Sequence, residues 1–316
     1  MKRFLGIDTS CYTTSAAVLN EQGGLERDER IVLSVKPGHR GLSQSEMLYQ
    51  HIRNLPVLFE RCGRGFGHSL AAVGVSAFPR RRRDSYMPAF LAGRGTAEIL
   101  SAAEGIPLFL FSHQENHAMA ALRENPSLWG RDFYMLHLSG GTNDFLHVSW
   151  PAGHMKMEEL CCSSDISAGQ YIDRIGVALG LPFPAGPALE ELAEQADGRV
   201  YKVPVPHGLS GFSFAGPESQ VRRDMASGNF TPSQIALGVI SSVGRALEEV
   251  FRRMPLEKGL PLIAAGGVTE NRYLRKVLAG LAGEYGLTPL FPPSGCSRDN
   301  ATGNAFGAFM VTGGGS

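Results

Sequence analysis

The sequence predicts an α/β protein of two lobes, each a mixed sheet packed with helices. Three observations carry this expectation. Apolar strand-like runs alternate with helix-length stretches along the 316 residues, a pattern that lays helices on a sheet. Two hairpins with small, polar or glycine-rich turns recur, one near residue 9 and one near residue 139, as expected of two related lobes facing each other across a cleft. The length also suits two cores of ordinary size.

Composition removes several function classes. Hydrophobic residues make up 43% and charged residues 19%, a globular rather than disordered balance. Lys plus Arg and Asp plus Glu stand at 30 each, so only a local basic patch can catch a polyanion. The five cysteines, Cys11, Cys62, Cys161, Cys162 and Cys296, are scattered without CxxC spacing and read as reduced thiols. Met1-Lys2-Arg3 runs straight into a strand, without the apolar core of a secretion signal. No apolar stretch reaches the roughly 20 residues that cross a bilayer. The expected location is the cytoplasm.

The elements follow in order. Phe4–Asp8 reads as a strand running into Thr9-Ser10, with a second strand at Ser15–Leu19. Helical stretches come next at about 43–62, 92–104 and 112–123. Glu124-Asn125-Pro126-Ser127 is the expected boundary, giving lobes of 1–125 and 126–300. The second lobe opens on Phe133–Leu138, the turn Ser139-Gly140-Gly141-Thr142-Asn143, and Phe145–Val148. Helices are predicted near 167–180, 186–197 and 232–253. Pro261–Ala265 then enters Gly266-Gly267 and a helix from Asn271 to Leu281. A small-residue helix over 301–312 is expected to pack back on the first lobe.

Three turns share one chemistry. Successive N–H groups in a glycine-rich turn form a concave, partly positive nest for phosphate oxygens, and Ser139, Gly140 and Gly141 supply one. Gly266 and Gly267 let backbone pass close to a ring or ribose, with a helix N-terminus behind them. Asp8, with Ser10, is the catalytic candidate beside the phosphates. His113 and His117 stand four apart; on a helix both imidazoles reach one ion. Asp299 is the candidate third ligand. HxxxH lacks the glutamate base of an H-E-x-x-H metallopeptidase helix, which argues against peptidase chemistry. The Arg80-Arg81-Arg82-Arg83 run can grip RNA phosphates or stand as a solvated loop. His137 and His147 read as cross-strand residues, and Cys161-Cys162 as buried thiols.

These motifs together resemble the TsaD family. The resemblance covers nearly the whole chain in order. It includes Gly6-Ile7-Asp8-Thr9-Ser10-Cys11, the HxxxH helix, the SGG turn and Ala168-Gly169-Gln170-Tyr171-Ile172-Asp173-Arg174. It continues through Leu179–Pro187, Phe212-Ser213-Phe214, the AGGV-x-x-N-R-x-L-R stretch, and Ser297-Arg298-Asp299-Asn300. The family, once catalogued as O-sialoglycoprotein endopeptidase, implies a two-lobed actin-like ATPase fold of the sugar-kinase and chaperone type. It implies transfer of threonylcarbamoyl from its adenylate to the adenosine beside the tRNA anticodon, with TsaB-like and TsaE-like partner proteins. It also implies iron or zinc held by His113, His117 and Asp299. ATP or an adenylate would be held by Ser139, Gly140, Gly141, Gly266 and Gly267, with Asp173 on the ribose and Gly186 and Asn271 completing the pocket.

The chain departs from the family pattern at several positions. Tyr12 and Thr13 replace two acidic residues, and Ala77–Asp84 replaces a glycine loop. Thr142-Asn143 replaces His-Thr, while Arg174 and Glu218 stand where lysines are common. These departures keep a second reading open, a diverged paralogue that binds nucleotide and metal as a regulator or assembly partner.

Overall fold

The computed structural model describes residues 1–35, 42–63, 69–197, 200–205, 211–292 and 300–313. The chain divides into two compact units, Met1–Trp129 with Arg298–Ser316, and Gly130–Ser297.

The first unit is built on β1 (Arg3–Asp8), β2 (Thr13–Asn20), β3 (Leu25–Val32), β4 (Leu70–Phe78) and β5 (Leu108–Ser112), in the sheet order β3-β2-β1-β4-β5. The first three strands pair antiparallel; β4 and β5 add parallel to β1. Alternation along β1 separates two faces. Leu5 and Ile7 enter a core with Leu55 of α1 (Gln44–Cys62) and Ala92 and Ala97 of α2 (Phe90–Glu104). Phe4 turns the other way and meets Phe309 of the C-terminal helix edge-on, ring centroids 5.3 Å apart. That helix, Thr302–Val311, lies against β1 and β4 and against α3 (His113–Arg123). Its small residues permit the close approach: a Cβ on Gly303 would stand 1.9 Å from the Asn116 carbonyl oxygen.

The second unit repeats the plan. β6 (Phe133–Leu138), β7 (Asn143–Ser149), β8 (Lys156–Cys162), β9 (Pro261–Ala265) and β10 (Thr288–Leu290) run in the order β10-β9-β6-β7-β8. Again three antiparallel strands are extended by two parallel ones. The helices are α4 (Ala168–Ala178), α5 (Gly186–Ala193), α6 (Ala215–Ser227), α7 (Pro232–Phe251) and α8 (Arg272–Glu284), and the C-terminal helix of the first unit is α9. Tyr134, Leu136 and Leu138 of β6 share a core with Tyr171 and Ile175 of α4, Val239 and Val243 of α7, and Leu274 and Leu278 of α8. Cys161 is buried, and burial pushes its thiol up to about 12. Among the described residues no helix is long and apolar enough to cross a membrane.

Candidate functional site

In the first unit, the local sequence fixes where the histidines stand. β5 ends at Ser112, whose hydroxyl accepts from the Glu115 N–H at 3.2 Å, while the Glu115 carboxylate accepts from the Ser112 N–H at 2.6 Å. This reciprocal capping box starts α3 at His113. His113 and His117 then project one turn apart, and their Nε2 atoms approach to 3.1 Å. His117 is buried and His113 nearly so.

The donor set fits a metal ion. Two nitrogens each about 2.1 Å from one tetrahedral or octahedral ion stand roughly 3 to 3.4 Å apart, which matches the observed spacing. Without a cation the same contact requires one imidazole to donate and the other to accept. Behind His113, the Asp8 carboxylate lies 4.0 Å from Nδ1. Asp8 is fully buried at the end of β1, and the Ser10 hydroxyl donates to it at 2.9 Å. Such a carboxylate orients a ligating imidazole through its far nitrogen.

Asp299 lies outside the described residues. Its neighbour Asn300 is described: the Asn116 side-chain amide donates to the Asn300 carbonyl at 2.6 Å, so the chain leading into α9 is tied to the turn between the two histidines. The Asn304 N–H donates back to the Asn116 side-chain oxygen at 2.8 Å, and the Asn304 amide donates to the Ile7 carbonyl and the Ser76 hydroxyl. α9 thereby joins α3 to the strand ends that carry Asp8. Of the four arginines after β4, Arg81, Arg82 and Arg83 are all exposed, and Arg81 pairs with Glu115.

In the second unit, the turn Ser139–Thr142 gathers its donors. The N–H groups of Gly141 and Thr142 both point at the Ser139 hydroxyl oxygen, each at 3.1 Å. Two converging amides of this kind present a pair of donors to an oxyanion. Gly140 and Gly141 are exposed. The N-terminus of α4 abuts the turn: the Gly169 N–H donates to the Ser139 carbonyl, and a Cβ there would stand 2.6 Å from that oxygen.

Asp173 and Gly186 come together, in a way the sequence does not reveal. The Asp173 carboxylate accepts from the Ala185 N–H at 2.7 Å and also from the Gly186 amide, so it pins the start of α5. Burial raises the Asp173 carboxyl above its ordinary value, with the two backbone bonds pulling the other way. Gly266 follows β9 at φ 98°, where a Cβ would stand 2.1 Å from the Leu138 carbonyl oxygen. Gly267 opens a short 3-10 turn, and Asn271 caps α8 by accepting from the Leu274 N–H at 3.0 Å. Glu190 of α5 accepts from both the backbone and the guanidinium of Arg272, linking the Gly186 helix to the Asn271 helix. Two departures from the family pattern meet here. The Arg174 guanidinium donates to Glu218 at 3.0 Å, and Arg222 donates to the other carboxylate oxygen at 2.8 Å.

His137 sits opposite Asp144 across the β6–β7 ladder, Nδ1 to carboxylate 3.9 Å, and His147 lies 3.8 Å from Asp132. Residue reading alone missed Ser112, Glu115, Gly169 and Asn304. The Ser112-x-x-Glu115 spacing was a usable signal for the first two; nothing local marks Asn304.

Residues 86–306 match the model of the TsaD family, tRNA N6-adenosine threonylcarbamoyltransferase. This chain belongs to the TsaD family. Its similar relatives include a tRNA N6-adenosine threonylcarbamoyltransferase of Desulfitobacterium hafniense, 30% identical over 98% of this chain and 90% of the relative. Another of the same name, from Novosphingobium aromaticivorans, is 31% identical over 95% of this chain and 88% of the relative. Solved structures place this TsaD member in the actin-like ATPase and sugar-kinase fold. Component A of the Acidaminococcus fermentans (R)-2-hydroxyglutaryl-CoA dehydratase superposes with a TM-score of 0.60 at 18% identity, covering 98% of this chain and 99% of that one. A ROK family glucokinase from Streptomyces griseus gives 0.52 at 13% identity, with 98% of each chain covered.

Proposed function

We propose that this chain transfers threonylcarbamoyl from threonylcarbamoyl-adenylate to the adenosine beside the anticodon of tRNA. The observation that carries the reading is the TsaD match over residues 86–306, with relatives of that name aligned along nearly the full length. In the transfer, the adenosine N6 amine forms a bond to the carbamoyl carbon and releases a proton to solvent, the bond from that carbon to the adenylate phosphate oxygen breaks, and AMP leaves with the electron pair. The regulator reading rests on the departures at Tyr12, Thr13 and Ala77–Asp84, and the named relatives do not favour it.

The first unit carries the metal ligands His113 and His117, with Asp299 as the third. Iron or zinc there supplies Lewis-acid polarisation of a carbonyl or phosphate oxygen when bound. Asp8 stands 4.0 Å from His113 Nδ1 and is itself held by the Ser10 hydroxyl, so a small approach of that carboxylate would orient the imidazole, with Asp8 and Ser10 as its positioning residues. The second unit carries the adenylate. The Gly141 and Thr142 amides take phosphate oxygens in the direction now occupied by the Ser139 hydroxyl, with Gly140 leaving the turn open. Gly266, Gly267 and Asn271 take the nucleoside. Asp173 acts through the Gly186 backbone that it anchors, which is the role the geometry supports beside a ribose contact. The exposed arginines Arg82 and Arg83, together with Arg80, grip tRNA phosphates. TsaB-like and TsaE-like proteins are the partners, and the cytoplasm is the location.

The test is complementation. In a strain depleted of its own TsaD, this chain restores threonylcarbamoyladenosine in tRNA hydrolysates read by mass spectrometry. The double variant His113→Ala with His117→Ala loses both that product and stoichiometric metal. A well-folded wild-type chain that restores no modified nucleoside refutes the transfer. Metal content unchanged in the double variant refutes the ligand assignment.

A further inference from the structure

We propose that Arg81 is a positioning residue for the metal-binding histidines, acting through Glu115. The inference rests on the metal reading above and goes beyond it, because Arg81 belongs to the loop that replaces a glycine loop in this chain.

The geometry is specific. Arg81 makes a forked contact, Nε to one Glu115 oxygen and Nη2 to the other, both at 3.0 Å. The same Nη2 donates to the Leu110 carbonyl at 3.0 Å, and the guanidinium lies over the Phe78 ring, 5.4 Å from its centroid. The side chain is therefore held from three directions although it is 58% exposed. Glu115 is only 5% exposed, and its carboxylate is also the acceptor that completes the α3 capping box. Glu115 lies between His113 and His117 on the first turns of that helix. Among the described residues Arg81 is the cation on this buried carboxylate. A buried carboxylate needs both charge compensation and saturated hydrogen bonds to stay in place. Removing Arg81 leaves Glu115 with the Ser112 N–H alone, so the carboxylate turns toward water and releases the cap. The first turn of α3 then loses its fixed rotation, and the two Nε2 atoms lose their 3.1 Å register.

The readout is binding of Co2+ alone, followed by its visible absorption bands and by competition with a chelator. Arg81→Ala weakens Co2+ binding by about 10- to 100-fold, the range for outer partners of metal ligands, and shifts the absorption bands. Arg81→Lys keeps the charge but not the fork and recovers part of the affinity. Arg94→Ala, which removes only an exposed pair with Glu98, stays within about twofold of wild type. In a Glu115→Gln background, Arg81→Ala adds no further loss, because the coupling runs through the carboxylate. Co2+ affinity within twofold of wild type in Arg81→Ala overturns the proposal, as does an equal loss from Arg81→Ala in both backgrounds. Should Arg81→Ala not fold, Arg81→Lys decides: a wild-type spectrum and affinity there also overturn it. A wild-type chain that binds no Co2+ sinks the metal reading instead, so the two failures are distinguishable.

Discussion

The two units share one strand plan and differ in what their turns are made of. In the first unit, the turn after β1 is carboxylate and hydroxyl, and Asp8, Thr9 and Ser10 are all fully buried. In the second, the matching turn after β6 is glycine, exposed, with its amides converging on one oxygen. The strand that adds parallel to the hairpin differs likewise: β4 runs into four arginines, and β9 into Gly266-Gly267. The same scaffold thus presents enclosed anionic groups in one unit and open backbone donors in the other. Turn composition, not topology, assigns the chemistry.

Substitutions in the glycine turns test this contrast most severely. Gly266→Ala meets both a left-handed backbone and a carbonyl oxygen, and costs roughly 3 kcal/mol or more from strain and overpacking together. Gly140→Ala enters open space and stays within about 0.5 kcal/mol of wild type. Urea denaturation of both variants checks this; equal losses would break the distinction between a built turn and an open one. A smaller effect is expected in the first unit. Asn304→Ala removes the amide that joins Ile7 and Ser76 and costs about 2 kcal/mol, since buried acceptors are left unsatisfied. A loss under about 0.5 kcal/mol would show that α9 does not hold the Asp8 strand end.

The mildest prediction concerns pH. The folded carboxyl of Asp173 is raised above its ordinary 3.8 by burial. Its stabilising contribution is therefore complete below that value and is lost as pH rises through the raised one. Asp173→Asn removes this dependence while its amide oxygen still accepts from the Ala185 N–H. The melting temperature of wild type relative to Asp173→Asn should accordingly fall as pH rises from the ordinary carboxylate value through the raised one. A flat or rising difference would contradict the burial argument.

Much of this was legible in the sequence, for physical reasons that also mark its limits. β1, β6 and β9 are continuous apolar runs ending in turn residues, and α3 and α7 carry clear helical spacing, so they could be read locally. β3 could not: Leu-Glu-Arg-Asp-Glu-Arg-Ile-Val is a charged edge strand, ordered by pairing with β2 rather than by an apolar face. α6 begins Ala-Gly-Pro-Glu and buries only Pro217, Glu218 and Val221, too sparse a stripe for a local pattern to display. At the site, residue types and spacing singled out His113, His117 and the glycine turns. Their supports escaped notice because the bonds span long separations, as from Asn304 to Ile7 across the first unit. The arginine run read as either a phosphate grip or a solvated loop; only the fold shows that Arg81, exposed like Arg82 and Arg83, is tied to Glu115.

In the ion triplet of Arg174, Glu218 and Arg222 one carboxylate serves two guanidinium groups. Restoring the common lysine at position 218 alone would crowd three cations around one spot, because Arg174 and Arg222 both lean on that carboxylate. Because a lysine at 174 would carry the same charge as Arg174, position 218 alone decides the triplet: a carboxylate there joins two cations, and a lysine there turns both attractions into repulsions.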